Sequence, residues 1–204
     1  MAGQQKLFSG RAKDSAIQVP EGFRYKSDFI DEAMESRLVQ HLQSLELKPF
    51  EFHGHLGNRR VLSFGLRYNY AVQTAPDIPD FLEQLRTNAA RFAGYSPEDL
   101  KQAGINEYRA GAGIGWHRDK PEFGDVIGVS LLGLAKMRLR KRQGQKWERR
   151  SLVIEPRSIY VLSGPARTHW EHSVPPVAEL RYSIMFRTLA APSLRQGNRP
   201  PATG

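Results

Sequence analysis

The sequence predicts a mainly β domain of the α+β class, a sheet sandwich or jelly roll backed by N-terminal helices. Three observations carry this expectation. Helical spacing of apolar residues occurs twice in the first half of the chain. After Gly104 the character changes to short extended runs separated by turn residues. Helices followed by a half-dozen strands suit a sheet covered by helices rather than a βαβ chain.

In chain order, residues 1–20 are polar, end in Pro20 and read as a mobile arm. Ser27 or Asp28 is placed to cap a helix running to about Leu45, with Phe29, Ile30, Met34, Leu38, Leu42 and Leu45 as its apolar stripe. Residues 50–70, FEFHGHLGNRRVLSFGLRYNY, mix glycine with aromatic and β-branched residues and predict irregular strands with a hairpin. A second helix follows Pro79, burying Phe81, Leu82, Leu85, Ala89 and Phe92. Ser96 opens SPEDL, a capping-type start for a short helical turn. INEYRA, DVIGVSLLGL, AKMRLRKR, KWERRSLVIE, SIYVLSG and ELRYSIMFRTL each read as strands. Residues 21–190 form one domain, and the Pro-, Gly- and Arg-rich tail 191–204 reads as disordered.

Composition narrows the function. A chain of 204 residues with 40% hydrophobic and 25% charged residues is an ordinary soluble domain. No apolar run reaches membrane-spanning length, and MAGQQKLFSGRAKDSA lacks the apolar core of a secretory signal. The expectation is a cytoplasmic monomer without a membrane partner, or a nuclear one in a eukaryote. Cysteine is absent, which excludes disulfides, thiolate zinc sites, iron–sulfur clusters and cysteine nucleophiles. A net charge of +9 favours a polyanionic partner, nucleic acid first. Charge is concentrated in KMRLRKRQGQKWERR, residues 136–150, where eight basic residues accompany one acid, Glu148. A hairpin turn at 142–145 would make this patch two adjacent strands. Met137 and Leu139 then face the core, and Lys136, Arg138 and Arg140 face away.

The chemistry-bearing stretch is GIGWHRDKPEFGD, residues 113–125. On a strand, His117 and Asp119 would share a face, and His172 supplies a third metal-capable side chain. Two histidines and a carboxylate leave coordination positions open, the arrangement of non-haem Fe(II) oxygenases. In RYSIMFR, Arg181 and Arg187 are six apart with Ser183 between them, so all three share one face of a strand. Tyr182, Ile184 and Phe186 then face the core. Two inward arginines must be neutralised, and a small dicarboxylate suits a guanidinium fork. Gly111, Gly113 and Gly115 would allow close approach to such a pocket. His169 competes with His172 but would face the opposite side, and the pair His53 and His55 has no third ligand.

Four motifs in order carry a resemblance: Asn106 and Tyr108 in NEY, His117-x-Asp119, His172 in HSVPP, and the Arg181/Arg187 pair. With them the chain resembles the AlkB-type Fe(II)/2-oxoglutarate dioxygenases. The resemblance implies a double-stranded β-helix with iron on His117, Asp119 and His172. It implies that Arg181, with Asn106 and Tyr108, anchors the distal carboxylate of 2-oxoglutarate. Ser183 would lie on the same face, and Arg187 near the other end of the co-substrate. The implied reaction uses dioxygen, releases succinate and carbon dioxide, and hydroxylates an N-alkyl carbon that then leaves as an aldehyde. Residues 50–70 correspond to a substrate lid.

The expected substrate is an alkylated base in DNA or RNA. Arg59, Arg60 and Arg67, with Arg138, Arg140, Lys141 and Arg142 of the basic hairpin, are candidates for phosphate contact. Phe52, Tyr68, Tyr70 and Trp116 are candidates to hold an extruded base. Bacterial repair members carry an acidic residue two positions after the Asp ligand; here Pro121 stands there, with Glu122 next to it. The alternatives are the same oxidation of a protein side chain, or a catalytically silent nucleic-acid-binding module.

Overall fold

In the computed structural model the described residues are 18–190, apart from 53, 54, 70 and 75, with the side chains of 52–56 and 67–75 also outside the description. The expected arm before residue 18, the tail from 191, His53, Tyr70 and the side chains of Phe52, His55, Arg67 and Tyr68 therefore lie outside the described residues. Pro20 is buried, and its carbonyl accepts the Phe23 N–H in the turn into the first strand.

The chain runs β1 (Phe23–Lys26), α1 (Glu32–Gln43), β2 (Lys48–Phe52), β3 (His55–Asn69), β4 (Ala71–Thr74), α2 (Glu83–Ala93), β5 (Gln102–Tyr108), β6 (Ile114–His117), β7 (Phe123–Leu132), β8 (Ala135–Gln143), β9 (Lys146–Ile154), β10 (Ile159–Leu162), α3 (Gly164–Thr168), β11 (Glu171–Val174) and β12 (Arg181–Leu189). The strands make two antiparallel sheets. The large one has the order β1-β10-β7-β12-β5-β3-β2, with β4 on β3, and the small one β6-β11-β8-β9. The jelly-roll sandwich expected from the sequence is present.

Both helices follow their apolar spacing, with one boundary corrected. α1 begins after Asp31, whose carboxylate accepts the Met34 N–H at 2.7 Å, and not at Ser27 or Asp28. Asp28 instead turns the chain with φ 48°. Such a cap is worth about 1 kcal/mol. Met34, Leu38 and Leu42 of α1 and Leu85 and Ala89 of α2 pack onto Ile105, Val129, Leu131, Ile184 and Phe186 of the large sheet. The SPEDL turn carries the reciprocal capping box, Ser96 with Asp99.

A second core fills the space between the sheets, with Met137, Leu139, Leu152 and Ile154 of the small sheet facing Val126, Tyr160 and Met185 of the large one. Gly128 leaves the room that the Tyr160 ring occupies. The segment predicted as irregular strands is a β2–β3 hairpin whose second strand is 15 residues long. It pairs with β2, then with β5 over Arg59–Gly65, then with β4. It kinks at Gly65, φ 77°, where any Cβ would strike the Lys101 carbonyl.

Candidate metal centre and its pocket

The small sheet and the turn that follows β6 bring three metal-capable residues together across 55 positions of sequence. His117 ends the edge strand β6, and His172 lies directly opposite it on β11. Asp119 is not on a strand, since β6 stops at His117. The alternation expected to align His117 with Asp119 is thus not what aligns them; the chain turns after β6 and Arg187 captures the carboxylate. Candidate ligand atoms of the three residues lie within 4.8 Å of one another. The His172 Nε2 to Asp119 Oδ2 separation is 3.6 Å, and the imidazole centroids are 4.2 Å apart. His117 Nδ1 lies 2.9 Å from the Gly115 carbonyl, which as a donor contact leaves Nε2 its lone pair.

Asp119 is asymmetrically bonded. Arg187 donates to Oδ1 from Nε at 3.1 Å and from Nη2 at 2.9 Å, while its Nη1 donates to Gln102. Oδ2 is enclosed and has no hydrogen-bond partner. Burial by itself would raise the Asp119 carboxyl, but Arg187, His172, His117 and Arg167 outweigh it and hold it at about 2. Burial, and then the neighbouring His117, push the His172 imidazole down to about 4. The centre therefore presents an ionised carboxylate and a neutral imidazole, the forms that bind a cation. An orphaned carboxylate oxygen, two histidines and no thiolate fit Fe(II).

The inter-sheet face of the large sheet is a polar floor. Arg181, Ser183 and Arg187 point to it from β12, opposite Tyr108, Asn106 and Gln102 of β5. Arg181 is 2% exposed. Its Nε donates to Ser130 at 3.0 Å, and its guanidinium lies 5.1 Å from the Tyr108 ring centroid. Among the described residues no acid pairs with it. A buried guanidinium without a carboxylate calls for an anionic ligand, and the floor fits 2-oxoglutarate.

Other predicted residues scatter. Arg59 lies opposite Tyr108 on the floor side, 3.8 Å above the Phe50 ring centroid, with Nε enclosed and unbonded; burial lowers its pKa. Arg60, one residue on, points to the helix side. There it forms a two-bond pair with Glu107, which also accepts from Arg109 and Tyr182. Alternation turns it away from the pocket, and the Glu107 pair holds the partly exposed side chain there. Glu122 keeps an enclosed, unbonded Oε2. Lys141 lies over Trp170 and pairs with Glu148. His169 caps α3 and is exposed. Of the three expected glycines, Gly113 permits a close approach, to the Val174 carbonyl at 2.6 Å from a virtual Cβ, and Gly115 has open space.

Three contributors were missed. Ser130 is the hydroxyl within the apolar run DVIGVSLLGL, a visible but unread signal. Gln102 and Arg167 gave none. Arg167, 8% exposed on α3, donates to the carbonyls of Lys120, Phe123 and Gly124 and so pins the PEFG turn. That turn and Asp119, Arg167 and Thr168 line a cleft beside the metal centre.

Comparison with known proteins agrees with this geometry. Residues 25–195 match the model of the 2OG-Fe(II) oxygenase superfamily. The chain is 26% identical over 189 residues to the "Alkylated DNA repair protein ALKBH8 homolog" of Arabidopsis thaliana, covering 79% of this chain and 53% of that protein. It is 29% identical over 134 residues to the uncharacterized protein L905 of Acanthamoeba polyphaga mimivirus, covering 59% and 63%. It is 27% identical over 116 residues to the "Probable RNA/DNA demethylase ALKBH6" of Danio rerio, covering 57% and 48%. The chain thus spans about half the length of the two ALKBH relatives. In fold it is similar to the structure of OsALKBH1, with TM-score 0.64, 14% identity, and coverage of 84% and 100%. A Pseudomonas putida prolyl-4-hydroxylase gives 0.57 and 16%, over 83% and 94%. Among the described residues no helix is long and apolar enough to cross a membrane.

Proposed function

The chain belongs to the 2OG-Fe(II) oxygenase superfamily, and from that premise we propose that it is an AlkB-type dioxygenase removing alkyl groups from base nitrogens of DNA or RNA. Bound Fe(II), with 2-oxoglutarate and dioxygen, supplies the oxidation: one oxygen atom ends in succinate, the other on the substrate's alkyl carbon, and carbon dioxide leaves. The protein's own residues do the holding and orienting. His117, Asp119 and His172 would hold the metal, with Arg187 occupying Asp119 Oδ1 and leaving Oδ2 without a protein partner. Arg181 holds the far carboxylate of 2-oxoglutarate, steadied by Ser130 and Tyr108, with Asn106 and Ser183 on the same floor. Arg187 is assigned to Asp119 rather than to the co-substrate. The hydroxylated alkyl carbon is a hemiaminal; its C–N bond breaks, the hydroxyl proton goes to the base nitrogen, and an aldehyde departs.

The observation that carries the reading is the shared inter-sheet face, with a half-bonded Asp119 near one end and an acid-free buried Arg181 near the other. A net charge of +9 favours a nucleic-acid substrate, and so do two relatives named for DNA repair and RNA/DNA demethylation. Arg59 and Glu122, each with an enclosed unbonded atom, are the side chains we assign to base recognition. The test is succinate release with methylated single-stranded DNA, methylated RNA and a methylated peptide as separate substrates. Release with either nucleic acid supports the reading. Release with the peptide alone overturns it in favour of a protein oxygenase, and iron binding without turnover would point to a silent module.

A further inference from the structure

The small sheet that carries His117 and His172 has a second face, turned away from the metal centre. His172 pairs with Leu139 across β11 and β8. Arg138 and Arg140 flank Leu139, so they point outward, where they meet Ser173 at 3.0 Å and Glu171 at 2.6 Å. Trp116, next to His117, lies on the same outer face with these two guanidiniums 5.0 and 4.4 Å from its ring centroid. Trp147 takes Arg140 at 4.2 Å and Arg142 at 5.9 Å. Register sorts the hairpin's charge. Lys136, Arg138, Arg140, Arg142 and Arg149 face outward, whereas Lys141 and Arg150 face the other way and share Glu148. Among the described residues, Arg140 alone of the outer five is paired with an acid.

We propose that this outer face is a docking surface for a nucleic-acid strand, gripped by its phosphates at a place separate from the catalytic pocket. The choice of partner rests on the nucleic-acid reading above; the surface itself rests on three properties. It is linear: four cations at alternate positions of one strand form a row about 20 Å long, which suits an extended polyanion better than a compact acidic patch. It is preorganised, since Arg138 and Arg140 are bonded and stacked on indoles before any ligand arrives. Ordering a free side chain at an interface costs roughly 0.5–1.5 kcal/mol, and here much of that ordering is complete. It is also adjacent to the reaction, because β6 is an edge strand of the small sheet. A strand crossing that edge passes Trp116 and reaches His117 on the other side, so docking outside can feed a base inward.

The test is binding of unmodified fluorescent oligonucleotides of increasing length across a salt series. The sheet variant carries Lys136→Gln, Arg138→Gln, Arg142→Gln and Arg149→Gln. A control removes equal charge elsewhere through Lys26→Gln, Arg37→Gln, Arg91→Gln and Lys101→Gln, all exposed positions. The sheet variant should lose about 0.7 of salt slope per lost contact, and bind long oligonucleotides tenfold or more weakly, with the control near wild type. Should the fourfold variant fail to fold, Arg142→Gln with Arg149→Gln, both exposed, should show about half the loss of slope. Equal losses in sheet variant and control, or none in either, overturn the proposal. So does a loss confined to an acidic peptide with oligonucleotide binding intact, which would make the face a protein interface. Binding here needs no oxidation. Failure of every nucleic acid in the succinate assay, beside a retained loss of slope, would sink the proposed function and leave the docking face standing.

Discussion

Arg187 grips one oxygen of Asp119 with two hydrogen bonds, at 3.1 and 2.9 Å, and leaves the other oxygen buried and unbonded. Supporting contacts of this kind typically matter 10–100-fold to metal affinity. Arg187→Ala should therefore weaken Fe(II) or Co(II) binding by about that factor, with a smaller change in the 2-oxoglutarate KM. Titration of both ligands decides it. A shifted 2-oxoglutarate requirement with unaltered metal affinity would assign Arg187 to the co-substrate instead.

Arg181 should show the converse. Arg181→Met keeps the buried stem and removes the charged fork, a loss of about 1.5–3 kcal/mol for charge-assisted hydrogen bonds. The 2-oxoglutarate requirement should rise roughly ten- to a hundredfold by that figure while metal titrates normally. An unchanged KM would mean that the dicarboxylate is held elsewhere.

The two C-terminal histidines should separate cleanly. His172→Ala should abolish stoichiometric metal binding and turnover, whereas His169→Ala, at the exposed end of α3, should leave both intact. Metal titration of the two purified variants is sufficient to check this.

Arg167 ties three carbonyls of the 120–124 turn to α3. Arg167→Met removes this shared donor, and urea unfolding should show a loss of roughly 1.5–3 kcal/mol, the scale of hydrogen bonds to a charged group. Hydrogen exchange should quicken at the amides of residues 122–124 before it does elsewhere in the large sheet.

Glu107 predicts a pH dependence. Its hydrogen bonds from Arg60, above all, with those from Arg109 and Tyr182, lower its pKa from an ordinary value of 4.5. A depressed carboxyl contributes stability that is complete above the unfolded value and is lost as pH falls through the folded one. Wild type should lose stability on acidification below about 4.5, and Glu107→Gln should flatten that part of the curve. Parallel curves for the two proteins would remove Glu107 from the acid response.

The sequence disclosed most where a period of two or four governs. Arg181, Ser183 and Arg187 share a face because they are an even number apart, and Met34, Leu38 and Leu42 meet the sheet because they are four apart. What it concealed were partnerships set by tertiary register. Nothing local links Arg187 to an aspartate 68 residues upstream. Arg59 and Arg60 look equivalent in the chain but fall on opposite faces of β3, one in the pocket and the other on Glu107. Likewise Lys141 parts from its basic neighbours by a single position. The four-residue strands β6 and β11 were too short and too mixed to announce themselves, although they carry both histidines.

The proposed metal ligands hang from the small sheet and the turn beyond it, while the arginine that holds Asp119 comes from the large one. An ion seated there is a clasp between two halves of the sandwich. Its occupancy adds to the cohesion of the whole fold, by about 2.7 kcal/mol at a hundred times the dissociation constant. Iron supply would then govern how long the molecule survives as well as how fast it works.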